Sequence, residues 1–344
     1  MTDDAKIAGA VRELLGAGRM FLSRGVAEKG CLGELLEAIE DARGEILSAH
    51  EGEQWIHIGA IVHDVVSEIE LECSSPGRIT GIPTGFAELD RRTAGLQRGD
   101  VILLGGRPCT GKTSFALNVA VSAAMSRMQP RHVLIMSPEL SRGDIVHRML
   151  CIVGYVDFAR LRASLVAPDD WGRLIEAASV LSGTSIFIDD SSRITVEQIE
   201  ARARSLLHEE GLDLLIIDPI QRVFSVKTGI VRRDRELGDI CQALKVLAQD
   251  LDVPVLALSR LNRSPERRRD HRPILSDLEG SAALEQVADV VLFIYRDEIY
   301  SADTELPGAA EIIIAKQRAG YRGRFLLRFE IAHGKFVEPY SREP

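Results

Sequence analysis

The segment Gly106-Arg-Pro-Cys-Thr-Gly-Lys-Thr113 has the residue types and spacing of a phosphate-binding loop. Its glycines let backbone N–H groups curl around phosphate oxygens, and a lysine beside them neutralises the β- and γ-phosphates. An apolar strand pattern precedes the loop and an apolar helix pattern follows it, which is the setting that such a loop requires. The sequence therefore predicts a nucleoside triphosphate site with Mg²⁺, in which the phosphates contact Gly106, Cys109, Thr110, Gly111 and Lys112, and the Thr113 hydroxyl binds the metal.

Two acidic residues follow apolar strand patterns further along the chain. Asp218 comes directly after the run 214–217, at the strand end where ligands bind in open sheets, and we expect it to be the second metal ligand. Glu139 follows the run 132–136 and opens the next helical stretch. A carboxylate in that place is either the base that activates water or a helix-start residue favoured by the helix dipole, and spacing alone leaves both interpretations open.

Short β-rich runs alternate with helical patterns from about residue 78 onward, which favours an α/β domain with a mostly parallel sheet covered by helices on both faces. The final runs lack intervening helices, so we expect an antiparallel edge there. The predicted strands are 101–104, 132–136, 185–188, 212–217, 253–258, 289–295, 311–315 and 324–331. The predicted helices are 112–126, 141–151, 168–181, 195–209 and 231–251.

The first 75 residues differ in pattern from the rest of the chain. They contain three stretches of helical periodicity, near 7–18, 32–49 and 56–73, and Ser, Pro and Gly at 74–77 indicate a linker. The predicted organisation is a small all-α region over 1–75 and an ATPase domain over 76–344. So small a helical unit buries little surface by itself, which favours packing on another body.

Composition narrows the class of protein. The net charge of −9 argues against nucleic-acid binding over the whole surface but leaves room for a local basic channel. Five scattered cysteines without C-x-x-C spacing favour reduced thiols over disulfides or a zinc site. The acidic N-terminus and the lack of a long apolar run predict a cytoplasmic protein with no membrane partner.

Motifs in a fixed order give the chain a family resemblance over 78–332. With them the chain resembles the motor domain of DnaB-type replicative helicases, which implies a RecA-like P-loop fold and an ATP-dependent 5′→3′ DNA helicase. The motifs are Gly81–Asp90, Gly95-Leu96, Gly99-Asp100, the phosphate loop, Ser137–Glu139, Ile217-Asp218 with Gln221, Arg233 with Glu236, Leu244–Ala248, Leu261–Arg263, Ser276–Leu278, Glu285–Asp289, Tyr295–Glu298 and Ala315–Gly320.

The resemblance assigns roles that spacing leaves open. It implies that Glu139 polarises the attacking water and that Arg148 lies in the nucleotide site. It also implies that Lys316 and Arg318, with Gln317 between them, enter the ATP site of an adjacent subunit of a hexameric ring, where a cation stabilises the transferring phosphoryl group. By sequence alone the same pair fits a solvated edge strand. Residues 1–75 resemble the family's helical hairpin and linker helix, without its globular head.

Three positions depart from the family pattern. Arg260 stands where the family has a phosphate-sensing Gln, and it would either contact phosphate or turn away from Lys112. Pro219 replaces a Tyr after the metal-binding Asp. Glu279-Gly280 replaces the Arg-Glu of the loop that grips single-stranded DNA, so an acid stands where a phosphate would bind.

An arginine-rich segment over 260–272 could compensate for Glu279, because it has six arginines in thirteen residues. We predict DNA contacts from Arg263, Arg267, Arg268 and Gly280, with an exposed, interface-forming loop as the alternative. The sequence thus predicts a ring-forming helicase that binds single-stranded DNA, with a helicase loader or primase as further partners. The alternative function is a DnaB-like regulatory or assembly ATPase that does not unwind DNA.

Overall fold

The computed structural model describes residues 57–73, 79–126, 129–225, 233–301 and 303–339. The chain divides into two compact units, 1–76 and 77–344. In the first unit the described residues form helix α1, Ile58–Cys73, which agrees with the helix expected over 56–73. The helices expected near 7–18 and 32–49 and the linker over 74–77 lie outside the described residues.

Helix α1 has an exposed apolar stripe. Its large exposed side chains recur at intervals of three and four residues, which places them on one face of the helix. They are Ile58, Ile61, Val62, Val65, Val66 and Ile69. A stripe of this kind is typical of a helix that packs on another protein surface.

The second unit is built on a nine-stranded sheet with the order β11-β10-β9-β8-β1-β7-β5-β2-β3. Its first six strands along the chain run parallel and the last three pair antiparallel, as the sequence predicts. A separate two-stranded sheet joins β4 and β6. The strands are β1 Val101–Gly106, β2 Val133–Met136, β3 Ile186–Asp189, β4 Ile194–Thr195, β5 Leu214–Ile217, β6 Val223–Phe224, β7 Val255–Arg260, β8 Val290–Tyr295, β9 Ala309–Gln317, β10 Gly323–Glu330 and β11 Lys335–Val337.

Helices cover both faces of this sheet. The five long ones agree with the predicted helices to within a few residues, whereas α2, α5 and α9 are new, since fewer than two full turns give too little periodicity to detect. The helices are α2 Ala87–Thr93, α3 Lys112–Ala124, α4 Arg142–Gly154, α5 Phe158–Arg162, α6 Pro168–Ser182, α7 Val196–Glu209, α8 Arg233–Leu251 and α9 Ser281–Val287.

Strand β1 lies in the middle of the core and is buried along its whole length. Ile102 and Leu104 face the side of α3 and α4, while Val101 and Leu103 face the side of α7 and α8. Burial on both faces explains why the parallel strands are continuously apolar in sequence. Strand β10, at the antiparallel side, instead alternates buried and exposed positions.

Strand order decides which loops meet at the carboxyl edge of the sheet. Strands β1, β7, β5 and β2 are consecutive neighbours and parallel, so their carboxyl ends lie side by side. Each of these four ends is followed by residues that the sequence analysis singled out. The fold therefore concentrates the chemistry of the chain at this one edge.

Candidate active site

The phosphate loop connects β1 to α3 and is held by its own lysine. The Lys112 ammonium donates to the carbonyl oxygens of Gly106 at 2.6 Å and of Arg107 at 3.1 Å. Burial lowers the pKa of Lys112 to about 8, although the nearby Asp218 opposes that shift. Gly111 adopts φ +100°, a left-handed conformation open to glycine, so the loop can turn directly into the N-terminus of α3.

Thr113 and Asp218 meet at the start of α3. The Thr113 hydroxyl donates a hydrogen bond of 2.6 Å to Asp218 Oδ2. Burial raises the pKa of the Asp218 carboxyl, and the Thr113 hydrogen bond and the Lys112 charge act against it. A hydroxyl and a carboxylate side by side are hard oxygen donors, the kind that Mg²⁺ uses together with phosphate oxygens and water. The residues present therefore fit a magnesium ion.

Glu139 lies beside this pair on the segment after β2, and two arginines hold it. Its Oε1 accepts from Arg222 Nε at 2.7 Å and from the Arg260 guanidinium. Burial raises the pKa of Glu139, but the hydrogen bonds and charges of both arginines bring it below its ordinary value. Arg260 is thus turned toward a carboxylate, and Arg222 is a site residue that sequence analysis missed.

A cavity of about 390 Å³ opens beside the loop. Arg148 lines it, with its guanidinium 4.8 Å from the ring centre of Phe158. The Nε atom of Arg148 is buried and has no hydrogen-bond partner among the described residues. Arg296 also lines the cavity and donates to the carbonyl of Cys109 at 3.1 Å. The motif around Arg296 was visible in the sequence, but its contact with the loop was not.

Lys316 and Arg318 lie at the opposite edge of the sheet from the phosphate loop. Lys316 Nζ donates to the carbonyls of Glu285 at 2.5 Å and Ala288 at 2.7 Å, at the end of α9. The Arg318 backbone N–H donates to Asp289, whose own N–H bonds to Val101 at the beginning of β1. The phosphate loop begins after the other end of β1, roughly 16 Å further along at strand spacing.

The Gln317 side chain contacts a different element from the side chains of Lys316 and Arg318. Its Nε2 donates to the carbonyl of Arg92 at 3.1 Å, and its Oε1 is buried without a partner among the described residues. The side chain therefore packs between β9 and α2 at the amino edge of the sheet. The structure places all three residues, 316 to 318, outside the nucleotide site of the same chain.

The arginine-rich segment after β7 is divided between internal and exposed side chains. Arg268 forms a two-pronged ion pair with the buried Asp277, with N–O distances of 2.7 and 2.6 Å, so its guanidinium is engaged inside the domain. Arg263 and Arg267 are exposed. Arg107 of the phosphate loop donates to Glu266 and to the Leu261 carbonyl at 2.9 Å, which ties this segment to the nucleotide site.

Gly280 and Glu279 follow a short 3-10 turn over 275–277. Gly280 has φ +79° and precedes α9, while Glu279 is exposed. Strand β7 continues into an isolated bridge between Leu261 and Leu278, so the loop is joined to the end of that strand.

Two further features of the described ranges concern other kinds of site. Cys109, Cys151 and Cys241 are free thiols, and the residues placed by the structure contain no group of three or more metal-binding His, Cys, Asp and Glu side chains. Within the same ranges, no helix has the length and apolar character needed to cross a membrane.

A parallel sheet with a phosphate loop, a Thr–Asp pair and a neighbouring glutamate defines the class of RecA-like P-loop nucleotide hydrolases. Comparison with known proteins narrows this class. The DnaB-like helicase C terminal domain family matches residues 81–338. Replicative DNA helicase DnaB of Geobacillus stearothermophilus is 39% identical over 327 residues, 95% of this chain and 72% of the relative. Replicative DNA helicase DnaC of Bacillus subtilis is 38% identical with the same coverage.

Solved structures agree with these relatives. One solved ATPase domain has a TM-score of 0.77 at 35% identity, and the match covers 82% of this chain and all of that domain. A DnaB-like replicative helicase studied with its interactions with primase has a TM-score of 0.80 at 32% identity, over 95% of this chain and 76% of that one. The chain belongs to the DnaB-like replicative DNA helicases, and its activity is that of a nucleotide-dependent DNA helicase. The resemblance and the fold class inferred from the sequence are confirmed.

Proposed function

We propose that the chain hydrolyses ATP with Mg²⁺ at the carboxyl edge of its sheet and uses the energy to move along single-stranded DNA. The observation that carries this proposal is the meeting of three groups at one edge: Lys112 in the phosphate loop, the Thr113–Asp218 pair and Glu139. Lys112 and Thr113 follow β1, Asp218 follows β5 and Glu139 follows β2, and each group has the chemistry that phosphoryl transfer to water needs.

Each residue has a distinct role in this proposal. Lys112 neutralises phosphate charge, Thr113 and Asp218 hold the metal, and Glu139 orients the attacking water and accepts its proton. Bound Mg²⁺ neutralises charge on the phosphate oxygens. Arg148, in the adjoining cavity, adds a cation beside the nucleotide. The loop positions Gly106, Cys109, Thr110 and Gly111 supply the phosphate cradle.

Lys316 and Arg318 serve the site of a neighbouring subunit in this proposal. They lie at the amino edge of the sheet, too far from their own phosphate loop to reach it. A second copy of the chain can bring its carboxyl edge against them, and head-to-tail contacts of that kind form a ring when the rotation between subunits closes. We propose a hexameric ring, in which the unit over 1–75 and its helix α1 pack on an adjacent subunit and the domain over 76–344 is the motor.

DNA contacts are proposed on the segment after β7. Arg263 and Arg267 are exposed cations there, and the loop at Glu279–Gly280 is joined to the same strand end. The family, together with the relative studied for its interactions with primase, supports primase as a partner. Because the relatives are bacterial replicative helicases, we propose the cytoplasm as the place of action.

The test measures ATP hydrolysis, its stimulation by single-stranded DNA, strand unwinding and the mass of the assembly. We expect a ring that unwinds DNA, and loss of hydrolysis in Glu139→Gln with ATP binding retained. Hydrolysis without stimulation or unwinding, across salt concentrations, would instead support the regulatory or assembly ATPase. The exposed acid at Glu279 is the observation that favours that second function.

A further inference from the structure

Two arginines converge on a single oxygen of Glu139. Arg222 belongs to the turn after β5, and Arg260 is the last residue of β7. Both donate to Oε1 of Glu139, and no residue that the structure describes donates to its Oε2. One oxygen is therefore anchored and the other is free to accept a proton from water.

Arg260 forms hydrogen bonds through three groups: its guanidinium, its backbone N–H and its backbone carbonyl. The backbone N–H donates to Gln221 Oε1 at 3.1 Å, and Gln221 Nε2 donates to Ser259 Oγ at 3.0 Å. The backbone carbonyl of Arg260 accepts from the N–H of Glu279 at 3.2 Å and from Ser259 Oγ, also at 3.2 Å. One residue thus joins the Glu139 carboxylate to the loop over 279–280.

Arg222 has no such second connection within the part of the chain that the structure describes. Its backbone N–H closes the local turn by bonding to the Pro219 carbonyl at 3.0 Å. Both arginines therefore contact Glu139, but only Arg260 is also hydrogen-bonded to the loop over 279–280. This difference makes Arg222 a matched control for Arg260.

We propose that Arg260 is a positioning residue for the hydrolytic reaction, which fixes the rotamer of Glu139 through its guanidinium and links that rotamer to the 279–280 loop through its backbone carbonyl. This inference rests on the proposed role of Glu139. In this proposal Arg260 orients Glu139 and does not contact a phosphate of the nucleotide. The ion pair engages Oε1 and leaves Oε2 of Glu139 available for water, so removing the guanidinium lowers the chance that the carboxylate meets water in the productive geometry.

The kinetic signature separates this task from nucleotide binding. An interaction that matters only for orienting Glu139 affects kcat, whereas a contact with bound ATP in its ground state affects KM. For Arg260→Gln we expect kcat to fall about tenfold with KM for ATP within about twofold of wild type. Arg260→Lys, which keeps a cation at the same place, should recover most of that loss. A raised KM with unchanged kcat, or an equal loss in Gln and Lys variants, would overturn the proposal.

The link to the loop has its own test. Glu279→Pro removes the N–H that donates to Arg260, whereas Glu279→Ala removes the same carboxylate and keeps that N–H. The preceding residue, Leu278, has φ −59° and ψ 135°, a conformation that tolerates a following proline. We expect kcat for ATP hydrolysis without DNA to fall severalfold in the proline variant relative to the alanine variant. Equal rates in the two would contradict the link.

Arg222→Gln completes the comparison. It should lower kcat because it removes the other contact to Oε1, and adding Glu279→Pro to it should lower kcat further, since Arg260 still links Glu139 to the loop. Arg260→Gln combined with Glu279→Pro should lose little more than Arg260→Gln alone. Additive losses in that second pair would overturn the link. If the wild-type protein failed to hydrolyse ATP, the proposed function itself would be rejected. If the wild-type protein hydrolysed ATP and the Arg260 variants did so at the same rate, this inference alone would be rejected.

Discussion

Thr113 and Asp218 are joined by a hydrogen bond of 2.6 Å from the Thr113 hydroxyl to Asp218 Oδ2. The two residues are 105 positions apart, and they meet because β1 and β5 both flank β7 and end at the same edge of the sheet. The pair offers two oxygen ligands before any metal binds. The proposed binding of Mg²⁺ rests on this contact.

Replacing Thr113 tests the proposed metal site. Thr113→Val keeps the shape of the side chain and removes the hydroxyl, so we expect the Mg²⁺ concentration for half-maximal hydrolysis to rise at least about tenfold. Thr113→Ser keeps the hydroxyl and should stay close to wild type. A titration of ATP hydrolysis against free Mg²⁺ checks this, and equal half-saturation in the Val and Ser variants would count against Thr113 as a ligand.

Nucleotide affinity should depend on the protonation of Lys112, whose pKa burial lowers to about 8. The bound phosphates favour the charged lysine, so affinity is constant below pH 8 and falls as pH rises through 8, by up to about tenfold per unit. Binding of a non-hydrolysable ATP analogue between pH 7 and 9 measures this. Lys112→Arg stays charged over that range and should show a flatter profile. A flat wild-type profile would contradict the prediction.

Two inactive variants should complement each other if Arg318 acts on a neighbouring subunit. Glu139→Gln subunits lack the catalytic carboxylate but still supply Arg318, and Arg318→Ala subunits have the reverse defect. In a 1:1 mixed ring roughly a quarter of the interfaces regain both groups. ATP hydrolysis of the mixture should therefore exceed that of either variant alone.

The matched control for complementation is Arg322, an exposed arginine four residues beyond Arg318. Arg322→Ala should hydrolyse ATP normally without any partner. If mixing Glu139→Gln with Arg318→Ala gave no more activity than the separate variants, Arg318 would not act across the interface.

The acid in the 279–280 loop should weaken DNA binding. Glu279→Arg replaces an exposed negative charge with a positive one, and we expect tighter single-stranded DNA binding and a salt dependence steeper by about one phosphate contact. Glu176→Arg makes the same charge change on the exposed side of α6. Fluorescence anisotropy at several salt concentrations compares the two. Equal affinities would place the loop away from the DNA path.

Arg268 should contribute more to the stability of the fold than to DNA binding. Its ion pair compensates Asp277, whose side chain is almost fully buried, and loss of the partner leaves that charge with the hydrogen bond from the Ile274 N–H but without a cation. Because Arg268 itself is about one-third exposed, we expect Arg268→Ala to lower the free energy of unfolding by roughly 2 kcal/mol. Arg267→Ala should leave stability unchanged and weaken DNA binding. Thermal denaturation and DNA titration together separate these outcomes, and a DNA-specific loss in Arg268→Ala would reverse the assignment.

Local signals accounted for the phosphate loop, the long helices and eight of the eleven strands among the described residues, whereas the short strands β4, β6 and β11 were not predicted. The strand–loop–helix setting of Lys112 is contiguous in sequence, so the residues that define it are also neighbours in space. The antiparallel side of the sheet was predictable for a similar reason, because strands without helices between them pair by short connections. Short elements such as α9 were missed, since seven residues span only about two turns.

The sequence by itself determined the class of chemistry, because Lys112 and Thr113 occupy fixed places in one continuous loop. Only the tertiary structure decided which distant groups share a site. Arg222 and Arg260 meet Glu139 because β5 and β7 are adjacent in the sheet, and Arg318 lies at the other edge because β9 runs antiparallel to β8. Strand order and direction result from packing of the whole domain, so no local pattern of residues contains them.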